Sequence, residues 1–306
     1  MNYLGVIAAF GTVFGWAACI VFFTSASKRI GVLYQNFYRV LTAAVVLLIL
    51  HTIIFGAPFP AITARQLVLM SISGFAALVI ADTCLYEACI EIGPRIGSLL
   101  FSLYPLVTAL LAWIILGERL GVFAWLGIIV TLAGVWWVIS EASSNKACQE
   151  GAARPARLLR GVVLGLLSAV GQALGFIIAK PVMVGEGGLD PFSANLVRMI
   201  AATLGFAFII IVRGQTKKAI SVPNLGKTMI FIIAGVILGN VLGSWLSLLS
   251  VKLIPAGIAT TIMAMTPIVI LPIVILAYKE KVTWKAALGA IVAVAGVALL
   301  LHSQGH

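Results

Sequence analysis

The stretches SLYPLVTALLAWIILGERL (residues 102–120) and AMTPIVILPIVILAYKEKV (residues 264–282) share one pattern. Each is an apolar run with a proline near its start and a glutamate at its end. Pro105 and Glu118 are thirteen residues apart, and so are Pro267 and Glu280. Proline removes a backbone donor and bends a helix. In hydrocarbon that is tolerated where neighbouring helices or a water-lined cavity satisfy the freed carbonyl. Pro105 and Pro267 therefore read as helix kinks that open the fourth and ninth apolar segments toward a central cavity. Glu118 and Glu280 fall where those segments reach the interface, where a carboxylate stays hydrated and marks the turn into the next segment.

Composition sets the solvent. Of 306 residues, 62% are hydrophobic and 9% charged, against roughly 25% charged in a soluble domain. A helix crosses the hydrocarbon layer in about 20 apolar residues, and such stretches recur at 4–25, 34–55, 66–90, 95–116, 121–140, 161–183, 191–212, 228–251, 256–278 and 283–301. The alternating ten-residue segments of a membrane barrel are absent. The net charge of +11 fits the Lys and Arg bias of cytoplasmic loops better than a nucleic-acid surface, so no nucleic-acid partner is expected. Cys19, Cys84, Cys89 and Cys148 have neither CxxC spacing nor a disulfide framework. His51, His302 and His306 show no metal spacing. No cofactor and no metal are expected. The long first apolar run, with no basic region before it, reads as a retained helix.

The chain resembles itself. A shift of 162 residues brings Pro105 onto Pro267, Glu118 onto Glu280, Gly127 onto Gly289 and Gly134 onto Gly296. Asn36 and Arg39 likewise match Asn195 and Arg198 at a slightly different offset. The long polar break at 141–160 divides the halves after the fifth span, and five is odd, so the second half enters from the opposite side. The expected fold is an all-α polytopic membrane protein: ten transmembrane helices as two inverted five-helix repeats. The first repeat covers 1–140, the linker 141–160, the second repeat 161–301 and a short tail 302–306. Such repeats put a solute site near the bilayer midplane.

The segments IGPRIGSLLFSLYPLVTALLAWIILGERL (92–120), LGIIVTLAGV (126–135), IPAGIATTIMAMTPIVILPIVILAYKEKV (254–282) and LGAIVAVAGVALL (288–300) resemble the EamA-type transporters of the drug/metabolite transporter superfamily. The resemblance covers nearly the whole chain. It implies the ten-helix inverted repeat, a central solute cavity and export of amino acids or other metabolites. Its motifs mark the fold and leave the solute open.

Fourteen Lys and Arg residues flank the spans on the side of the linker, against Arg65, Arg119, Lys180 and Lys252 on the other. That bias puts the linker in the cytoplasm and both termini outside, whereas the resemblance suggests both termini inside. A prokaryotic plasma membrane is the expected location, and a monomer the expected state.

Asp82 is the one acid well inside a span. Ionisable groups at that depth are functional candidates by default, here for proton coupling, with an ion pair to Arg39 as the alternative and Glu87 or Glu91 as rivals for that arginine. Arg39 and Arg198 either snorkel or pair, or hold a substrate carboxylate, which the guanidinium fork suits. The substrate-cavity candidates share helix faces at four-residue spacing. They are Thr12 with Trp16, Asp82 with Tyr86, Ser168 with Gln172, and Asn240 with Ser244 beside Trp245; near the prolines stand Ser98, Ser102, Tyr104, Thr261 and Met263. Such a lining suits a small amphipathic solute, although Ser, Thr and Asn also bond helix to helix. Gly11/Gly15, Gly171/Gly175 and Gly235/Gly239/Gly243 read as internal packing seams.

The pattern points to a secondary active transporter of small organic metabolites, with export favoured by the resemblance alone. No GxxxxGK[ST] loop is present, so a gradient drives it. A facilitative channel or uniporter is the alternative, although neither charge rings nor a carbonyl filter motif is present. A membrane-embedded enzyme would need a nucleophile–base pair, a carboxylate dyad or metal ligands, and the spacing offers none.

Overall fold

The computed structural model describes residues 2–144, 155–221, 225–266, 268–269 and 284–302. Among them no strand occurs, and helices follow one another through short turns. α1 (Tyr3–Ile30) and α2 (Val32–Phe55) are separated by Gly31 alone, whose φ of 83° turns the chain. α3 (Ala64–Gly74) opens on a capping box between Thr63 and Gln66. It runs into a π-helical segment, π1 (Phe75–Ala81), and on into α4 (Asp82–Phe101). α5 (Tyr104–Leu116) and α6 (Val122–Ser144) follow. Beyond residue 154 come α7 (Pro155–Met183), α8 (Pro191–Val212) and the short α9 (Thr216–Ile220). α10 (Leu225–Gly235) passes through a second π-helical segment, π2 (Val236–Gly243), into α11 (Ser244–Leu253). α12 (Ala256–Met263) and α13 (Trp284–His302) end the described chain.

Among the described residues, five stretches are long and apolar enough to cross a membrane: Val32–Phe55, Ala64–Ala88, Leu158–Met183, Pro191–Val212 and Thr228–Leu253. Shorter apolar helices accompany them. Large apolar side chains such as Phe14, Ile53, Ile114 and Phe208 are exposed on the outside, a surface that suits lipid rather than water. This is an integral membrane protein.

Backbones meet at glycine. α1 lies antiparallel to the α10–π2–α11 helix: Gly5 faces Ile254, Gly11 faces Leu246, Gly15 faces Gly243, and Cys19 faces Gly239. α7 lies antiparallel to α3–π1–α4 in the same manner, with Gly175 on Ala77, Gly171 on Ala81 and Gly161 on Ile92. A Cβ at Gly15 would sit 2.6 Å from the Leu238 carbonyl oxygen of π2, and one at Gly171 would sit 2.9 Å from that of Ala76 in π1. Only a missing side chain permits such contact with a backbone carbonyl. The small-residue stripes are therefore internal seams, as the spacing predicts. α6 and α13 also pair closely, with Gly134 on Ala293 and Gly296 on Thr131.

Three features differ from the sequence expectation. The helix of α4 continues across the expected boundary at 91–94 and breaks instead at Ser102–Leu103. Pro105 then occupies the first turn of α5 rather than a kink within a helix. Its missing N–H costs nothing there, because the first amides of a helix have no partner in any case. α6 and α7 extend into the expected linker 141–160, through Ser144 and from Pro155. Pro267 and Glu280 lie outside the described residues.

Replacing Gly15 by Ala should lower stability by roughly 1–3 kcal/mol through overpacking, read as a drop in the thermal unfolding midpoint in detergent. Gly121→Ala, with nothing within 4 Å of the new Cβ, should leave that midpoint unchanged.

Candidate functional site: a buried polar seam

The segment YQNFYR (34–39) puts Gln35, Asn36 and Arg39 on α2, and all three are buried. α8 carries the matching Asn195 and Arg198, also buried. Both arginines stand seven residues inside their helices, after Val32 and Pro191, or about 10 Å at 1.5 Å per residue. α2 and α8 run antiparallel, since Tyr34 reaches Gln215 while His51 reaches Ser193. Arg39 and Arg198 thus enter from opposite ends and flank the middle of the layer.

Their partners differ. Arg39 Nη2 donates to Asp82 Oδ2 in an ion pair whose side chains are 9% and 16% exposed. Asp82 is the residue at which π1 returns to α-helix. A π turn holds an extra residue, which rotates everything after it about the helix axis, so π1 helps to set the direction in which Asp82 points. Cys19 of α1 and Arg198 of α8 lie within electrostatic reach of the same carboxylate. Glu87 and Glu91, the expected rivals for Arg39, bind Arg160 instead at 3.4 and 3.1 Å. Arg198 has no ion pair or hydrogen bond among the described residues; its Nε is shielded and unpaired, and its Cζ stands 5.9 Å from the centre of the Phe176 ring.

Around the arginines the polar groups are only half used. Asn195 Nδ2 donates to the Asn240 carbonyl at 2.8 Å, yet the side-chain oxygens of Asn195, Asn240 and Asn36 accept nothing, and neither amide atom of Gln35 is paired. Each such group removed from water without a partner costs on the order of 1–3 kcal/mol by mutational measure. Gln35 escaped the sequence reading, although its i, i+4 spacing to Arg39 places both on one face.

The other predicted positions separate into packed and open. Thr12 is fully buried and bonds the Ala8 and Gly243 carbonyls. Thr261 bonds Gly257 O, Met263 is in the core, and Tyr104 donates to the Thr260 carbonyl at 3.2 Å. Ser244 donates to Gly239 O across the end of π2, and Ser102 accepts from Trp136 at 2.8 Å. These are contacts between or within helices. Asp82, Tyr86, Trp16 and Trp245 keep partial exposure, with Trp245 edge-on to Phe192 at 6.2 Å. Gln172 is 8% exposed, and its amide has no partner among the described residues. Ser98 lies on α4, and its surroundings are outside the described ones.

Two further contacts were not read from the sequence. Glu118, expected to be hydrated, is 16% exposed and accepts from Lys180 at 2.5 Å and from the Ala256 amide at 2.8 Å. Lys180 also donates to the Ile254 carbonyl at 2.7 Å. The glutamate at the end of α5 thus clips α7 to the start of α12, where a negative charge suits the first turn of a helix. His51 Nδ1 is 2.6 Å from the Ala57 carbonyl, which can only accept, so Nδ1 donates there, and Nε2 stands 3.0 Å from Ser193 Oγ.

Asp82→Ala should lower stability by roughly 3–5 kcal/mol, the cost of stranding a buried guanidinium. Arg39→Gln combined with Asp82→Asn should recover much of that loss, measured as a thermal double-mutant cycle in detergent.

Comparison with known proteins supplies the identity of this scaffold. A solved crystal structure superimposes with a TM-score of 0.74 over 98% of both chains at 15% identity, which is a likeness of fold. The permease-like protein YdzE of Bacillus subtilis (strain 168) is 49% identical over 45 residues, a stretch covering 58% of that protein and 15% of this chain. The sequence profile of the EamA-like transporter family matches residues 3–140 and again 159–302. The chain, with its helical membrane scaffold and its two family-matched segments, belongs to the EamA-like transporter family.

Proposed function

We propose that this chain is a secondary active transporter that moves small organic metabolites, amino acids or similar amphipathic solutes, across a prokaryotic plasma membrane by alternating access. Export is the favoured direction, and Asp82 is the proton-coupling group. The working unit is a monomer of two inverted five-helix repeats, 1–140 and 161–301, with the linker in the cytoplasm and both termini outside.

One observation carries the reading: buried polar groups with unspent hydrogen-bonding capacity gather where helices of the two family-matched segments meet. Gln35, Asn36 and Arg39 come from the first segment, and Asn195, Arg198 and Asn240 from the second; Asp82 joins them through its pair with Arg39. A layer of hydrocarbon penalises every one of these groups unless a solute or water uses them.

Inversion is supported by matched contacts running in opposite senses. Gly15 on the Leu238 carbonyl and Gly171 on the Ala76 carbonyl are counterparts, because the 162-residue shift carries 76 to 238. The same shift carries Thr131 to Ala293 and Gly134 to Gly296, and Gly134 packs on Ala293 while Gly296 packs on Thr131. α6 and α13, counterparts in sequence, thus run antiparallel. π1 and π2 occupy corresponding places as well. Rocking of one repeat on the other would use these close, flat glycine seams and expose the seam to each side in turn.

Coupling through Asp82 rests on the groups around it. Arg39 from α2 pairs with it, Arg198 from α8 and Cys19 from α1 lie within its field, and Tyr86 lies near Arg39. A proton on Asp82 would release Arg39 and change the charge of the seam, so proton and solute occupancy are linked.

Proteoliposomes offered amino acids and amphipathic cations, with and without a pH gradient, test the reading. Wild-type protein should accumulate at least one of these solutes, and the gradient should drive it. Asp82→Asn should abolish the gradient dependence. Flux that ignores the gradient and survives Asp82→Asn removes coupling; the absence of any flux removes transport. Reporter fusions after Ser144 and at the C-terminus test orientation, and a cytoplasmic C-terminus overturns the charge-based assignment.

A further inference from the structure

We propose that Arg198 is an anion-recognition point, and that the solute presents a single carboxylate to it. The inference deepens the transporter reading by naming the charge class of the solute, although binding at Arg198 stands whether or not the solute then crosses.

The argument begins with charge. Among the described residues, Arg39 and Arg198 are the only buried Lys, Arg, Asp or Glu side chains. Asp82 neutralises Arg39, and the Lys180–Glu118 pair at the end of α5 is balanced within itself. Two guanidinium groups against one carboxylate leave one net positive charge inside the layer. Arginine does not shed its proton in a protein, so that charge cannot be relieved by titration.

The asymmetry has a sequence cause. Under the 162-residue shift the counterpart of Asp82 is Ser244. Ser244 spends its hydroxyl on the Gly239 carbonyl at 3.3 Å. The first arginine therefore has a paired counterion, whereas among the described residues the second has only the more distant field of that same Asp82. A solute carboxylate would supply at Arg198 what Asp82 supplies at Arg39.

The surroundings leave the guanidinium available. Nε is walled off and unpaired, while neither terminal nitrogen has a hydrogen bond among the described residues. A Cβ added at Gly175 would lie 2.5 Å from Ala77 Cβ and 3.4 Å from Nη2, so the fork stands at the edge of the close seam between α7 and π1. The buried Phe176 ring stands 5.9 Å from Cζ, at the outer edge of cation–π range, and carries no net charge to balance the guanidinium. Gln172, one turn earlier on α7, offers an amide with no partner. A planar fork takes a carboxylate through two parallel hydrogen bonds. A phosphate monoester, at roughly −1.5 to −2 near neutral pH, would overshoot the single charge.

The test uses the purified full chain in detergent, with its thermal midpoint read against acetate, benzoate and glutamate and against acetamide, benzamide and glutamine. The carboxylates should raise the wild-type midpoint in a saturable way, and each matched amide should do so far less. Arg198→Gln should remove the carboxylate-specific shift. Arg198→Lys keeps the charge without the fork and should weaken the apparent affinity about tenfold or more. Equal behaviour of acids and amides on the wild type overturns the proposal, as does a carboxylate shift that persists in Arg198→Gln. Should Arg198→Gln fail to fold, unchanged affinity in Arg198→Lys overturns it. Flux in proteoliposomes keeps the two readings apart. Carboxylates that bind without crossing leave the Arg198 site standing and remove transport; neutral solutes that cross while acids and amides bind alike do the reverse.

Discussion

The organising constraint is the cost of holding guanidinium groups inside hydrocarbon. Arg39 and Arg198 each stand about two helical turns from an end of their helix, deep enough that escape to water along the side chain is restricted. Arg39 is held by Asp82, and Asp82 is delivered by the helix that carries π1. Moving that helix by a turn would strand two opposite charges. The register of α2 against α3–π1–α4 is therefore set electrostatically, while the register of α7 against the same helix is set sterically, by Gly171 and Gly175. Position is fixed twice, by different forces, on two sides of one element.

The π segments connect those two controls. A wide turn places carbonyls where a neighbouring backbone can approach them, and in both segments the approaching residue is a glycine. Thr12 adds a hydroxyl bond to the Gly243 carbonyl at the end of π2. Ser73, just before π1, donates to the Gly175 carbonyl at 2.5 Å. Widened helices of this kind recur at functional sites, because they can exchange hydrogen-bond partners at low cost. Here they border the polar seam directly: Asn240 lies within π2, and Asp82 follows π1.

The proposed transport function draws on groups left incomplete. A soluble core would pair Gln35, Asn36, Asn195 and Asn240 or replace them with aliphatic residues. In a bilayer the penalty for leaving them unpaired is larger, and they are spread along the α2–α8 contact, Gln35 and Asn36 toward the Arg39 end and Asn195 toward the Arg198 end. By contrast Thr12, Tyr104, Thr261 and Met263 are consumed by packing. Polar residue type alone does not separate the two groups; the partner does.

Much of this was legible in one dimension. Apolar run length established a helical membrane protein, and the repeated Pro–Glu–Gly spacing carried the resemblance that the family profile bears out. The depth of Arg39, Arg198 and Asp82 and the Arg39–Asp82 alternative also followed from residue positions, because rise per residue is constant along a helix. Rotation was not legible. Whether Glu87 and Glu91 meet Arg39 or Arg160, whether Glu118 meets water or Lys180, and whether Pro105 bends a helix or begins one depend on how each helix is turned and where it stops. Two π segments shift that turning by a residue's worth of angle without a distinctive sequence signal, and only the packed helices, through backbone contacts closer than a methyl group, decide the final orientation.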